Sequence, residues 1–63
     1  MSYIKTALKN ARVALNAKNW EDAIKECEKV LQYEADNYNA YVYLIGAAHN
    51  TIQIIYYSFL LST

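Results

Sequence analysis

Apolar residues recur at helical spacing in three successive stretches of this 63-residue chain. In the first, Ile4, Leu8, Ala11 and Leu15 form one stripe, widened by Ala7 and Ala14. That spacing predicts a helix from Ser2 to Ala17, with Lys5, Lys9, Arg12 and Lys18 mostly off the apolar side. The stripe is rich in alanine, so a partner helix can approach closely. Asn16 to Asn19 marks a break, since asparagine suits turns and caps. In the second stretch Trp20, Ala23, Ile24, Cys27, Val30 and Leu31 share a face, predicting a helix from Trp20 to Tyr33. Asn19 stands at its N-cap with Asp22 three residues on, a capping-box-like arrangement. Glu21 and Asp22 place negative charge in the first turn, where the helix dipole favours it. Glu21 and Lys25 are spaced for an i,i+4 ion pair. Asp36-Asn37 supplies a second turn.

The third stretch begins at Tyr38. Tyr41, Leu44 and Ala48 keep helical spacing and predict a helix to about residue 50, with Tyr41 turned inward. From Ile52 to Phe59 the residues are β-branched and aromatic, types that also favour strands, so continuation to about Leu61 stays open. The expected fold is therefore all-α: an antiparallel helix pair with a third helix packed on it.

Composition narrows the functional classes. Proline is absent and glycine occurs once, at Gly46, which opposes a hairpin-rich β fold. A single cysteine excludes an internal disulfide and a cysteine-rich metal site. Six basic and six acidic side chains balance, giving no electrostatic reason to expect direct binding of nucleic acid or of an anionic membrane. The charges are nevertheless segregated: all lie between Lys5 and Asp36, and Asn37 to Thr63 carries none. An uncharged half of this kind predicts a covered surface, and self-association through residues 37–63 when no partner covers it. Ala40 to Leu61 is long enough to span a hydrocarbon core of roughly 30 Å. His49, Asn50, Thr51 and Gln53 sit at its middle, however, where polar groups cost most, so no membrane partner is expected.

Asn19 to Ala35 resembles the second helix of a tetratricopeptide repeat. In that pattern Ala23 is the small residue where paired helices touch. Cys27 stands where Phe or Tyr is usual, and Ala35 where Pro is usual. Repeats of this class recur about every 34 residues. That shift places Ala7 on Tyr41, Leu8 on Val42 and Ala14 on Ala48. Tyr41 and Leu44 resemble the Trp and Leu of a second repeat's opening, with Gly46 displaced by one residue because Ile45 intervenes. One extra residue turns a helix by about 100°, which leaves the register after Gly46 open. The domains read as a repeat over 2–36, the first helix of an incomplete repeat over 37–50, and a divergent apolar tail over 51–63.

Thr6 to Arg12, Trp20 to Ala23, Val30-Leu31 and Asn37 to Val42 further resemble the large tetratricopeptide subunit of the superkiller complex, over about Ser2 to Ala48. The resemblance implies a cytoplasmic or nuclear protein–protein scaffold, with superkiller subunits as partners, in an assembly that assists the exosome in 3′-to-5′ mRNA decay. The tail from Thr51 resembles nothing in that family, and a truncated product is the expectation.

No candidate residues carry catalysis, a cofactor or a metal. Cys27 lies on an apolar stripe, where buried thiols are usually inert. His49 lacks a partner at ligand spacing, and no paired carboxylates or phosphate loop stand out. The chain is read as a binding protein, not an enzyme; the alternatives are a stand-alone small repeat adaptor that binds a peptide and, after it, a small tail-anchored membrane protein using Ala40 to Leu61. Ala23, Cys27 and Leu44 are the candidate repeat-packing residues. The candidate partner-binding residues are Leu8, Arg12, Tyr38, Tyr41 and Tyr43, because tyrosine offers broad amphipathic contact area. The alternative for the tyrosines is that Tyr41 packs between repeats while Tyr38 and Tyr43 stay partly exposed. Leu8, Arg12 and Tyr43 stand where co-chaperone repeats carry Lys and Asn for a carboxylate clamp. That disfavours such a clamp, while Arg12 can still meet an acidic partner alone.

Overall fold

In a computed structural model, which describes residues 3–62, the chain forms three α-helices. They are α1 (Tyr3–Asn16), α2 (Trp20–Tyr33) and α3 (Tyr38–Ser62). The expected start of α1 at Ser2, like Thr63 of the tail, lies outside the described residues. The stripes of α1 and α2 fold as the spacing demands. Ala7, Ala11, Ala23, Cys27 and Val30 are buried, and the flanking Ile4, Leu8, Leu15, Ile24 and Leu31 are half-buried. The two helices are antiparallel, as the edge-to-face contact of Tyr3 with Tyr33 at 5.4 Å shows.

The α1–α2 turn is closed by backbone hydrogen bonds. The Asn19 N–H donates to the Ala14 carbonyl at 2.8 Å and the Lys18 N–H to Leu15 at 3.1 Å. This is the Schellman pattern that satisfies a helix C-terminus, and it requires a left-handed residue at its centre. Lys18 fills that position with φ 61°, where glycine is usual. Asn19 does not cap α2 as its capping-box position suggested. Its side-chain amide donates to the Asp22 carboxylate at 2.7 Å, so the two side chains pair with each other and neither accepts a first-turn N–H. The working cap is at the next helix: Asn37 Oδ1 accepts the Ala40 N–H at 2.9 Å. Lys25 lies 3.9 Å from Glu21, and Lys29 lies 3.1 Å from Glu26. The Glu26 carboxylate holds the Lys29 ammonium above its usual range by hydrogen bond and charge.

α3 packs mainly on α2 and less on α1. It runs in the direction of α1, because Ala40 joins Ala7 and Val30 in the core while Gly46 lies over Leu15. The core is built almost wholly from small residues, and Val30 and Cys27 are its largest fully buried side chains. Such a core lets helices approach closely but removes little apolar area from water.

The third helix resolves one open point and departs from expectation in another. Continuation beyond residue 50, open on spacing alone, runs to Ser62. Helical hydrogen bonds to each successive residue outweigh β propensity, which is mainly a packing preference. Ile45 causes no break, so the displaced Gly46 is accommodated inside one continuous helix. The inward face is also rotated. Ala40 and Ala47 are buried and Tyr43 and Leu44 half-buried, whereas Tyr41, expected inward, is 44% exposed. Alanine at 40 and 47 is what the close approach to α2 admits. Tyr41 instead reaches back, its hydroxyl donating to the Ala35 carbonyl at 2.6 Å.

Polar groups at the middle of α3 turn onto their own helix. Asn50 Nδ2 donates to the Gly46 carbonyl and Thr51 Oγ1 to the Ala47 carbonyl. No helix among the described residues is long and apolar enough to cross a membrane. At 1.5 Å per residue, α3 outreaches the hairpin by more than ~10 Å. The molecule is accordingly elongated, 49 × 21 × 13 Å, with a radius of gyration of 13.0 Å against the ~11 Å typical of this length.

Candidate protein-interaction site

An open groove of about 420 Å³ runs between α1 and the start of α3. Its apolar floor comes from Leu8 and Tyr43, both half-buried. Lys5, Lys9 and Arg12 stand along the α1 wall, with Thr6 beside them, and Asn39 faces them from α3. Positions 5, 9 and 12 share one helical face, and α1 contains no acidic residue. The groove therefore gathers three cations and no carboxylate. The charges of opposite sign lie elsewhere: Glu21, Asp22, Glu26, Glu28, Glu34 and Asp36 belong to α2 and the turn after it. The chain's balanced charge thus conceals a basic groove and an acidic flank. What such a groove can do is bind an extended acidic segment, its side chains meeting the cations and its apolar residues meeting Leu8 and Tyr43.

Of the five residues singled out from the sequence for partner binding, the structure brings Leu8, Arg12 and Tyr43 into this groove. Tyr38 and Tyr41 line another flank of α3 and do not contribute. Lys5, Lys9 and Asn39 join the groove without having been singled out. The signal for the two lysines was present in the 5, 9, 12 spacing, which reads equally well as a solvated face until α3 is placed opposite. Among the packing positions Ala23 and Cys27 are fully buried and Leu44 is half-buried. Burial, with Glu26 and Glu28 nearby, pushes the Cys27 thiol above its ordinary value. A raised, inaccessible thiol is a poor nucleophile. His49 is exposed, and Trp20 is half-buried at the hairpin turn. Among the described residues no group of His, Cys, Asp and Glu could hold a metal ion.

Over 45 residues, 71% of its length, the chain is 49% identical to Superkiller complex protein 3 of Homo sapiens. Over 50 residues it is 48% identical to Superkiller protein 3 of Schizosaccharomyces pombe and 42% identical to Tetratricopeptide repeat protein 37 of Xenopus laevis, each match covering 79% of the chain. The chain spans only 3–4% of the length of these relatives. No protein-family model and no solved structure matches it. Over this short stretch the chain is thus similar to proteins named for the superkiller complex and for tetratricopeptide repeats, and its three packed helices form a tetratricopeptide-like, all-α arrangement.

Proposed function

We propose that this chain is a non-enzymatic interaction module, and that it holds an acidic, partly apolar segment of a protein partner in the groove between α1 and α3. The observation that carries the reading is the alignment of Lys5, Lys9 and Arg12 over the Leu8–Tyr43 floor with no carboxylate among them. Cations alone would attract any polyanion; the apolar floor adds a preference for peptide. The relatives extend the proposal: the module works as part of a superkiller-type scaffold, in the cytoplasm, in an assembly that assists 3′-to-5′ mRNA decay. The partner segment then belongs to another superkiller subunit, and the chain itself does not contact RNA directly.

Fluorescence anisotropy with a labelled Glu/Leu peptide tests the groove. Arg12→Glu combined with Lys9→Glu weakens binding ~10-fold or more, and raising the salt weakens the native chain's binding in the same direction. Equal binding by the double variant, or by a peptide with Gln in place of Glu, contradicts the groove reading. Purified superkiller subunits added to the same assay test the wider one. Failure to bind them, while the acidic peptide still binds, leaves a stand-alone adaptor.

A further inference from the structure

We infer that α3 carries a self-complementary seam and that two copies of this chain pair through it, antiparallel, helix against helix. The inference does not depend on the groove, which lies on the opposite flank of α3.

The seam follows from spacing. Beginning at Tyr38, alternate steps of three and four residues pick out Tyr41, Ile45, Ile52, Ile55 and Phe59, with the small residues Ala48 and Ser62 completing the series. This is the 3.5-residue repeat by which helices pack along their length. The six large side chains are 44–78% exposed. They lie along one flank of α3, beside the face that Ala40 and Ala47 press onto the hairpin, while Val42, Ile54, Tyr56, Tyr57, Leu60 and Leu61 are exposed off that spacing. Within the chain the seam has a direct counterpart. A shift of about 34 residues, the repeat period, maps positions 38, 41, 45 and 48 onto Ile4, Ala7, Ala11 and Ala14. Those are residues of the α1 stripe that α2 covers, antiparallel. In α1 the stripe is covered; in α3 it stands open.

Three observations select a second copy as the cover. First, no residue from Asn37 to Thr63 is charged, so two such helices meet without repulsion. Second, an antiparallel pair centred near Asn50 sets each small residue of the seam against a large one, in two of its four kinds of contact. Ala48 meets Ile52 of the other copy, Tyr38 meets Ser62, Ile45 meets Ile55, and Tyr41 meets Phe59. Parallel pairing would instead place Ala48 on Ala48 and Tyr38 on Tyr38, leaving a gap in one layer and a clash in another. Third, the area suffices. Three aromatic rings and three isoleucines this exposed offer on the order of 500–600 Å² of apolar surface per chain. Two such faces reach the ~1,000 Å² that specific association needs. The arrangement is isologous and closes on itself, so it ends at two copies. It also sets the outer turns of each α3 beside the inner turns of its partner.

Sedimentation equilibrium on the full chain tests the pairing. At tens of micromolar the native chain has twice the 7.3 kDa mass of a single chain. Ile52→Glu buries an unpaired charge in the seam and raises the dissociation constant ~100-fold or more. Tyr57→Glu, on α3 but off the seam, leaves the mass unchanged. Circular dichroism on each variant shows that the helices persist. Direction is read by disulfide trapping: mixing Ile45→Cys with Ile55→Cys chains gives the mixed cross-link, and each alone gives little. A folded native monomer overturns the proposal and leaves the seam to a helix of different sequence. Unlimited aggregation, equal effects of the Ile52 and Tyr57 changes, or efficient cross-linking within each cysteine variant overturns it as well.

Discussion

The hairpin of α1 and α2 and the outer turns of α3 are both regular helix, but they are helical for different reasons. In the hairpin each helix covers the other's apolar stripe. Ala11, Ala23, Cys27 and Val30 are fully enclosed, and charges line the outside. Beyond Thr51 every described side chain is exposed, most of them apolar, and none is charged. An isolated helix of this length is marginal in water, since nucleation is costly and packing supplies most helical stability. The difference teaches where the fold is self-sufficient and where it needs a partner. Inside the hairpin, sequence and cover agree. In the outer part of α3 the sequence asks for cover that a single chain does not provide.

The largest expected contrast comes from one charge placed in each region. Val30→Asp buries a carboxylate beside Ala7 and Ala40 and costs more than about 3 kcal/mol. A chain of this length has only ~3–9 kcal/mol to lose. Its urea melt, followed by circular dichroism, shifts to far lower denaturant or vanishes. Tyr57→Asp stays within about 0.5 kcal/mol of the native chain. Next, Ala11→Leu forces methyl groups into a closed helix contact and costs about 1–3 kcal/mol, again visible in the urea midpoint.

The hairpin was legible in the sequence because its stripes are flanked by charge. Lys5, Lys9 and Arg12 on one helix, and Glu21, Lys25 and Glu28 on the other, mark the outside and so reveal the inside. The extents of α1 and α2 and their buried positions follow from that contrast. In α3 the contrast is missing. With no charge to mark the solvent side, Tyr41 and Ala40 look equally fit to face inward, and packing against α2 decides for alanine. The groove was half legible for a related reason. Arg12, Leu8 and Tyr43 could be named singly, but Lys5 and Lys9 become a site only when α3 brings Asn39 and Tyr43 opposite them. Cap choice was local detail beyond spacing: Asn19 and Asn37 are the same residue in similar settings, and only Asn37 accepts an N–H.

Smaller changes sharpen the same contrast at the junctions. Asn37→Ala removes the hydrogen bond to the Ala40 N–H and lowers the melting temperature, at a cost of about 1 kcal/mol. Lys18→Gly relieves the left-handed backbone at φ 61° and stabilises the hairpin by about 1 kcal/mol. For a domain near this size that corresponds to a rise of roughly 4–8 °C in Tm. Cys27 gives the finest test. Its thiol is raised in the folded chain, chiefly by burial, from an ordinary value of 9.0. The unfolded chain therefore ionises first as pH rises. The stability associated with the neutral buried thiol is complete below about pH 9 and declines above it. Urea melts between about pH 8 and 10 show this decline in the native chain. The part due to the thiol is absent in Cys27→Ala.

The most direct test of the contrast between the two regions is amide hydrogen exchange, resolved along the chain and repeated over a range of protein concentration. Protection of α1 and α2 is expected to hold on dilution, because their cover is internal. Protection of residues 52–62 is expected to fall, because their cover is a second copy. Outer turns of α3 that stay as protected as the hairpin at the lowest concentration, or a hairpin that loses protection in step with them, would contradict the account.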